Sequence, residues 1–502
     1  MNTQKPITKV AIVGGGSSGW MAAAMVSRFL GPQLDITLIE SSAIGTVGVG
    51  EATIPPIRTF NNVLGIDENE FLRRTGGTIK LGIEFENWGR QGDRYMHAFG
   101  DIGRNLGFTG FHHYWLRGQQ SGEAHNYWDF SLNYRAAKNH RFQPLETIPN
   151  TPLCGLVHAY HFDAGLYAQL LREYSEARGV KRIDGTIQQV HQHPDTGEVT
   201  ELTLADGQQL DAELFIDCSG FRGLLIKETL KVEFDDWSHW LPCNRALAVP
   251  SETAAQTTPY TRAIAHEGGW QWRIPLQHRN GNGLVYCSDF LSDDQASTRL
   301  LDNLDTPALG EPRPISFTTG RRRQQWHKNV IALGLSSGFL EPLESTSLHL
   351  VQSGIVRLIK HFPHRGLQSA VIDEYNRQSQ DEFEKIRDFI ILHYHLNQKH
   401  DSPFWRACRE SDKPDSLLRR IELFRTSGLV FREQDELFSE TAWQQVFIGQ
   451  GLIPEDYHPL ANELPGAQLT EFFRNLNTTF ERTVDQLSDH DAYLQQHAKA
   501  TL

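Results

Sequence analysis

Three glycines, Gly14, Gly16 and Gly19, follow directly on the apolar run Val10 to Val13 and precede an alanine-rich stretch. This is the G-x-G-x-x-G spacing of a strand–turn–helix unit that binds a dinucleotide. Gly14 permits the tight turn, Gly16 lets a pyrophosphate approach the backbone, and Gly19 lets helix and strand pack closely. Ser17 opens the helix, whose free N–H groups and positive dipole end would face the phosphates. A second strand, Asp35 to Ile39, runs into Glu40, about 20 residues beyond the last glycine, where the fingerprint places a ribose-binding carboxylate. The spacing occurs once, so one dinucleotide site is expected.

Other stretches carry groups that could act on whatever binds there. Gly45, Gly48 and Gly50 make a loop closed by Glu51, Thr53 and Pro55-Pro56. It either admits a ligand ring or phosphate or is a plain surface loop. Thr78 to Trp88 alternates as one half-buried strand, with Ile79, Leu81, Ile83 and Phe85 inward and Lys80, Gly82, Glu84 and Glu86 on the polar face. Lys80 is then a solvated lysine balanced by two glutamates, or a group beside Gly82 against which something bulky rests. His97 and Phe99 share one side of an extended segment and could sandwich a planar ligand or fill the core. Trp270, Trp272 and Ile274 fall on one face of a strand, opposite Gln271 and Arg273, and Pro275 ends that strand or puts it at an edge. Two tryptophans so spaced make a rigid wall, for core or for ligand. Two more apolar strands run into glycine turns, Leu214 to Gly220 and Asn329 to Gly334-Leu335. Ser345, Thr346 and Ser347 open an amphipathic helix, where free N–H groups can hold an anion such as a flavin phosphate or a halide. Glu344 stands at the same end, a position that also complements the helix dipole.

The elements around these groups describe an α/β chain. A helix is predicted over 162–178, strands over Gly185 to Val190 and over 198–205, and helices over 374–397, 415–426, 441–447 and 468–498. Residues 1–362 read as a Rossmann-like nucleotide-binding module with an interleaved sheet, and 363–502 as a mainly helical cap. The composition is that of a globular protein, and a net charge of −13 argues against a nucleic-acid surface. The five cysteines form no C-x-x-C pair, which argues against a disulfide framework or a zinc ribbon, and no metal site is expected. No signal peptide is read at the N-terminus, and no stretch of about 18 apolar residues suggests a membrane span. A cytoplasmic location is expected.

Taken together, these motifs resemble the flavin-dependent halogenase family, the tryptophan halogenases and their relatives, along essentially the whole chain. The markers are the glycine fingerprint, the W-x-W-x-I-P segment Trp270 to Pro275, Lys80 in Lys-Leu-Gly, and Glu344 in Glu-Pro-Leu-Glu-Ser-Thr. The resemblance implies a GR2-type FAD-binding fold in which Gly14, Gly16, Ser17, Gly19, Glu40, Gly50, Ala52, Val190, Gly334 and Leu335 touch the cofactor. It implies that reduced FAD and O2 oxidise bromide or chloride to hypohalous acid, with the halide held at Thr346 and Ser347. The second halide position is usually glycine in the family, so Ser347 is a departure. The acid would pass through a tunnel to Lys80, as a hydrogen-bonded species or a haloamine, with Glu344 orienting it and removing the arene proton. Trp270, Trp272, Ile274 and Pro275 would shield the flavin, and His97 and Phe99 would hold the aromatic substrate. The Tyr-Tyr, Glu and Phe that grip free tryptophan in relatives are not found; Thr441-Ala-Trp-Gln-Gln stands there instead. An indole, another electron-rich aromatic or a larger substrate is therefore expected, together with a separate flavin reductase and a monomeric or homodimeric enzyme. The competing readings are a flavin aromatic hydroxylase, disfavoured by the tryptophan wall and by Gly334-Leu335 where hydroxylases tend to carry Gly-Asp, and a non-catalytic flavin-binding protein.

Overall fold

The computed structural model describes residues 6–42, 50–123, 125–363 and 366–501. Gly45 and Gly48 of the expected glycine loop lie outside them. The strand Lys9–Val13 sits inside a six-stranded sheet, paired in parallel with Asp35–Glu40 on one side and Leu214–Asp217 on the other. Val330–Ala332 and Lys181–Asp184 extend this sheet in parallel, and Trp326–His327 closes one edge antiparallel. The apolar runs Val10–Val13, Leu214–Asp217 and Val330–Ala332 are buried because helices cover a parallel sheet, while the edge strand Lys181–Asp184 stays partly exposed. The helix Ser17–Leu30, buried from Gly19 to Ser27, is one of those covers.

A seven-stranded sheet supplies the second layer. Its order is Arg313–Ser316, Arg245–Ser251, Asn280–Tyr286, Gly269–Pro275, Thr261–His266, Gly82–Glu86 and Arg94–Ala98. The tryptophan strand is fourth of seven, and Pro275 is its last residue, so the proline terminates a central strand rather than marking an edge. A three-stranded sheet links the layers: Glu51–Ala52 and Thr78–Lys80 both pair with Ala159–Phe162.

The expected single strand from Thr78 to Trp88 is in fact two, Thr78–Lys80 and Gly82–Glu86. It breaks at Leu81, whose N–H donates to Pro259 O and whose carbonyl accepts from Phe99 N and Asn133 Nδ2. Lys80 therefore belongs to the linking sheet and Gly82 to the large one. Nor is the polar face solvated. Lys80 has no exposed surface, Glu84 pairs with Lys138 at 2.5 Å, and Glu86 pairs with Arg262 at 2.5 Å and Arg94 at 3.1 Å. What rests against Gly82 is the neighbouring strand: a side chain there would sit 2.7 Å from His97 O. Alternation reports residue type along one strand and is blind to a second layer laid over its polar side.

The other expected elements shift at their ends. Phe162 closes a strand, and the following helix runs Ala164–Glu176 with Asp163 as its cap. The two predicted strands are Ile187–Gln192 and Val199–Leu204. The predicted helix over 468–498 is two, Gly466–Gln486 and His490–His497, the second capped by Asp489. A helix the sequence reading passed over, Pro403–Glu410, starts at the cap Ser402. The long helix Ser369–His395 and the helix Glu440–Gly449 complete the parts used below. Among the described residues no helix is long and apolar enough to cross a membrane.

The helix Glu440–Gly449 covers the edge strand Arg94–Ala98, as an edge needs. Gln445 closes it like a backbone partner, accepting from Ala98 N at 2.9 Å and donating to Ala98 O at 3.1 Å. Gln444 accepts from Tyr127 OH, and Gln450 donates to Tyr95 OH and His393 O. Gln445→Ala would strand both groups of Ala98 without water, costing about 2–6 kcal/mol at 1–3 kcal/mol for each orphaned group. A lowered melting temperature measures that loss, and an unchanged one refutes the clamp.

Candidate active site

The turn after Lys9–Val13 has the shape a dinucleotide requires. Gly14 sits at φ +112°, and a side chain there would run 2.2 Å from Cys218 O. A side chain at Gly19 would strike Gly14 O at 1.8 Å, so helix and strand meet backbone to backbone. Gly16, by contrast, has nothing within 4 Å of where a side chain would begin, and no side chain caps the helix that Ser17 opens. An open cradle beneath uncapped N–H groups fits a pyrophosphate. Glu40 ends the neighbouring strand and folds under the turn, accepting from Arg182 Nε at 2.5 Å and Trp20 Nε1 at 3.3 Å. Gly334 packs on Ser18, which brings the second glycine turn, Gly334-Leu335, against the first. Gly50, at φ +133°, packs on Ile274 and Leu276 at the end of the tryptophan strand. Ala52 pairs with His161 across the linking sheet. Val190, paired with Leu202 in a meander, packs on a satellite core with Val13 and Ile39, the residues just before Gly14 and Glu40.

Beyond the tryptophan strand a second group of polar side chains is buried. The segment 341–347 makes a 3-10 turn, Pro342–Glu344, and then the helix Ser347–Lys360 with Thr346 as its uncapped N-cap. Ser345 between them takes a left-handed conformation, φ +57°, a strained choice for a residue with a side chain. That conformation delivers its hydroxyl to Lys80, whose Nζ donates to Oγ at 2.7 Å. Lys80 also lies 5.5 Å from the centre of the Phe99 ring. Glu344, one residue earlier, is fully buried: its Oε2 stands 2.7 Å from His97 Nδ1 and its Oε1 2.9 Å from His393 Nε2.

The environments of the two charged groups push in opposite directions. Burial drives Lys80 down to about 7, against the pull of the Glu344 carboxylate. Burial would raise Glu344, but His97 and His393 outweigh it and bring the carboxyl to about 2. Glu344 is thus ionised throughout the neutral range, while Lys80 exchanges between ammonium and amine near neutrality.

Thr78, His161 and Thr261 tie Lys80 to the tryptophan strand. The Thr78 hydroxyl gives its one proton to Pro275 O at 2.7 Å, so His161 Nδ1–H donates to Thr78 and Nε2 accepts from Thr261, both at 2.9 Å. His161 stays neutral, because burial and then the Lys80 charge hold its basicity well below the usual range. Trp270 and Trp272 are buried with ring centres 6.1 Å apart.

His97 and Phe99 meet edge to face, 6.4 Å apart, and do not form two parallel walls. His97 is held by Glu344, and its other ring neighbours are Phe389 at 5.7 Å and Phe438 at 6.1 Å. Phe389 and Phe438 stack on each other at 3.8 Å. Sequence reading missed His393, Phe389 and Phe438, which lie far along the chain. The only signal was the 3.6-residue pattern of the long helix, which puts Phe389 and His393 four apart on one face.

A tryptophan halogenase family model matches residues 9–466. The chain belongs to the tryptophan halogenase family. The halogenase is 33% identical to the tryptophan 7-halogenase RebH of Lentzea aerocolonigenes, over 98% of this chain and 99% of RebH. Its structure matches Xcc4156, a flavin-dependent halogenase from Xanthomonas campestris, with a TM-score of 0.95 at 47% identity, covering 99% of each chain. BrvH, a flavin-dependent halogenase from Brevundimonas sp. BAL3, matches with a TM-score of 0.94 at 44% identity, over 98% of this chain and 99% of that one. The protein is accordingly an FADH2-dependent halogenase that uses O2 and halide, built on the FAD-binding fold of its family. Such enzymes need a separate flavin reductase and an aromatic substrate.

Two titrations check the site. The halogenase buries a lysine at about 7 whose unfolded value is 10.5, so the unfolded state holds more protons between those values and stability rises with pH across that window. Lys80→Met should therefore raise the melting temperature more at pH 6 than at pH 10; equal shifts would contradict the buried ammonium. His393→Phe removes one of the two groups holding Glu344 near 2, so the acid limb of the pH–rate profile should move upward. An unmoved limb would show that Glu344 is not the group titrating there.

Proposed function

We propose that this halogenase carries hypohalous acid to Lys80 and there halogenates an indole or other electron-rich aromatic rather than free tryptophan. The observation that carries this reading is the burial of Lys80 and Glu344 around Ser345, with Phe99 beside the lysine and His97 beside the carboxylate.

The glycine turn, the helix opened by Ser17, and Glu40, Gly50, Ala52, Val190, Gly334 and Leu335 would hold the FAD. When bound and reduced, FAD supplies with O2 the oxidation of halide to hypohalous acid. Thr346 and Ser347 hold the halide on backbone N–H groups at the uncapped helix start; Ser347 replaces a glycine but keeps its N–H. Trp270, Trp272, Ile274 and Pro275 keep organic substrate from the flavin. Lys80 meets the acid as a donor when protonated or as a nucleophilic amine when not, and a value near 7 supports either form. The aromatic ring attacks the halogen as its bond to oxygen breaks and hydroxide leaves as water with a proton from the Lys80 ammonium (from a haloamine, the bond to nitrogen breaks and the lysine amine is restored), and Glu344, already ionised, takes the ring proton that is lost. His97 and His393 hold that carboxylate in place and stabilise its charge before the reaction.

The substrate choice rests on the cap. A free amino acid brings an ammonium and a carboxylate that need buried partners. Near Phe438 and Trp443, the charges Glu436 and Arg420 are spent on each other at 2.5 Å, and the amides of Gln444 and Gln445 are taken by Tyr127 and Ala98. This supports a neutral aromatic. We also read 1–362 as the FAD module with its interleaved sheet, 363–502 as the substrate cap, and the enzyme as cytoplasmic, in keeping with five free cysteines.

The test combines enzyme, FAD, a flavin reductase and bromide or chloride with a panel of indoles, read by mass shift. Lys80→Ala should lose product by roughly 10²–10⁴-fold, the range for a positioned catalytic group, with FAD affinity and folding retained. Retained halogenation would remove Lys80 from the mechanism. Indole should be turned over with a higher kcat/KM than free tryptophan, and efficient turnover of tryptophan at low KM would refute the substrate reading.

A further inference from the structure

Three residues before Glu344, the same motif buries a second carboxyl that the mechanism above does not use. Glu341 has no exposed surface. One of its oxygens, Oε2, accepts from Trp270 Nε1 at 2.9 Å and from Tyr394 OH at 2.5 Å. The other, Oε1, has no hydrogen-bond partner. The side chains that act on Glu341 are that indole and that phenol, with the thiols of Cys243, Cys287 and Cys408 around them; among the described residues none is a cation. Burial accordingly pushes Glu341 up to about 7, while the histidine-flanked Glu344 sits at about 2. Two carboxyls three residues apart thus have opposite environments, which is how one motif assigns two roles.

Burying a carboxyl without a counter-charge is costly, and packing alone would favour an apolar side chain at this position. What the carboxyl adds is one acceptor shared by two elements. Trp270 belongs to the tryptophan strand. Tyr394 belongs to the long helix, next to His393, which touches Glu344. Trp88 fills the angle between them, 6.3 Å from Trp270 and 5.5 Å from Tyr394.

We propose that Glu341 is a positioning residue for halogenation: its shared oxygen locks the Trp270 indole to Tyr394, so that the tryptophan wall and the helix behind Glu344 keep one fixed relation. This rests on the reading of Trp270 as part of the wall between flavin and Lys80. A loosened indole lets reduced flavin be consumed without halogen reaching substrate.

The experiment measures halogenated product per reduced flavin consumed, together with the exchange protection of the Trp270 indole N–H by NMR of isotope-labelled tryptophan in flavin-free protein. Glu341→Leu should lower the yield per flavin by about tenfold, the weight of one hydrogen bond, and leave the Trp270 N–H unprotected, with FAD affinity unchanged. Glu341→Gln keeps an acceptor oxygen and should rescue both. Tyr394→Phe, which removes one donor and keeps the ring, should lower the yield in part, and it decides the question if the leucine variant fails to fold. Wild-type yield and protection in Glu341→Leu, or wild-type yield in Tyr394→Phe, would overturn the inference. Trp270→Ala separates the two claims. If it uncouples while Glu341→Leu does not, only the role of Glu341 falls; if it leaves the yield unchanged, the wall reading falls and the inference with it.

Discussion

Much of this structure depends on one costly requirement, the removal of an ammonium and a carboxylate from water within reach of each other's charge. Lys80 and Glu344 are both fully buried, and desolvating each charge costs several kcal/mol unless other groups replace the water. The fold replaces it unequally. Glu344 receives two histidines and stays charged, whereas Lys80 receives one hydroxyl and falls to about 7. An ion pair between the two would be cheaper and would leave neither group free to act. Ser345, strained into a left-handed conformation, takes the lysine's hydrogen bond instead. The strain sits between the two buried charged side chains, where strained residues tend to gather at functional sites.

The segment from Glu341 to Ser347 condenses this arrangement into seven residues. Glu341 faces the tryptophan strand, Glu344 the histidines, Ser345 the lysine, and Thr346 and Ser347 the start of a helix. No regular element could aim consecutive side chains in so many directions. A 3-10 turn, one left-handed residue and a helix start do so because each changes the chain direction within a residue or two. The long helix Ser369–His395 then backs the segment with adjacent residues, His393 on Glu344 and Tyr394 on Glu341.

The buried amides of the cap follow the same economy. Gln445 and Gln450 replace lost backbone and water partners along the edge strand that carries His97, and Gln444 accepts from the Tyr127 hydroxyl. Rigid support of this kind is what a site needs when its reacting groups must stay within a fraction of an ångström of their working positions.

The amino-acid sequence alone was enough to mark the nucleotide turn, because Gly14, Gly16 and Gly19 act on their immediate neighbours and their spacing is local. It also marked Lys80, Glu344, Trp270 and Trp272, through a resemblance that the family match bears out for the chain as a whole. It could not show that Lys80 leaves the polar face of its strand, since the break at Leu81 is made by its hydrogen bonds to Pro259 O and from Phe99 N and Asn133 Nδ2. Nor could it find His393, 49 positions from Glu344 and carried on another helix. Local spacing sets turns, caps and periodicity. Burial, and with it the charge state of every group in this site, is set by which distant segments pack together, and only the tertiary structure decides that.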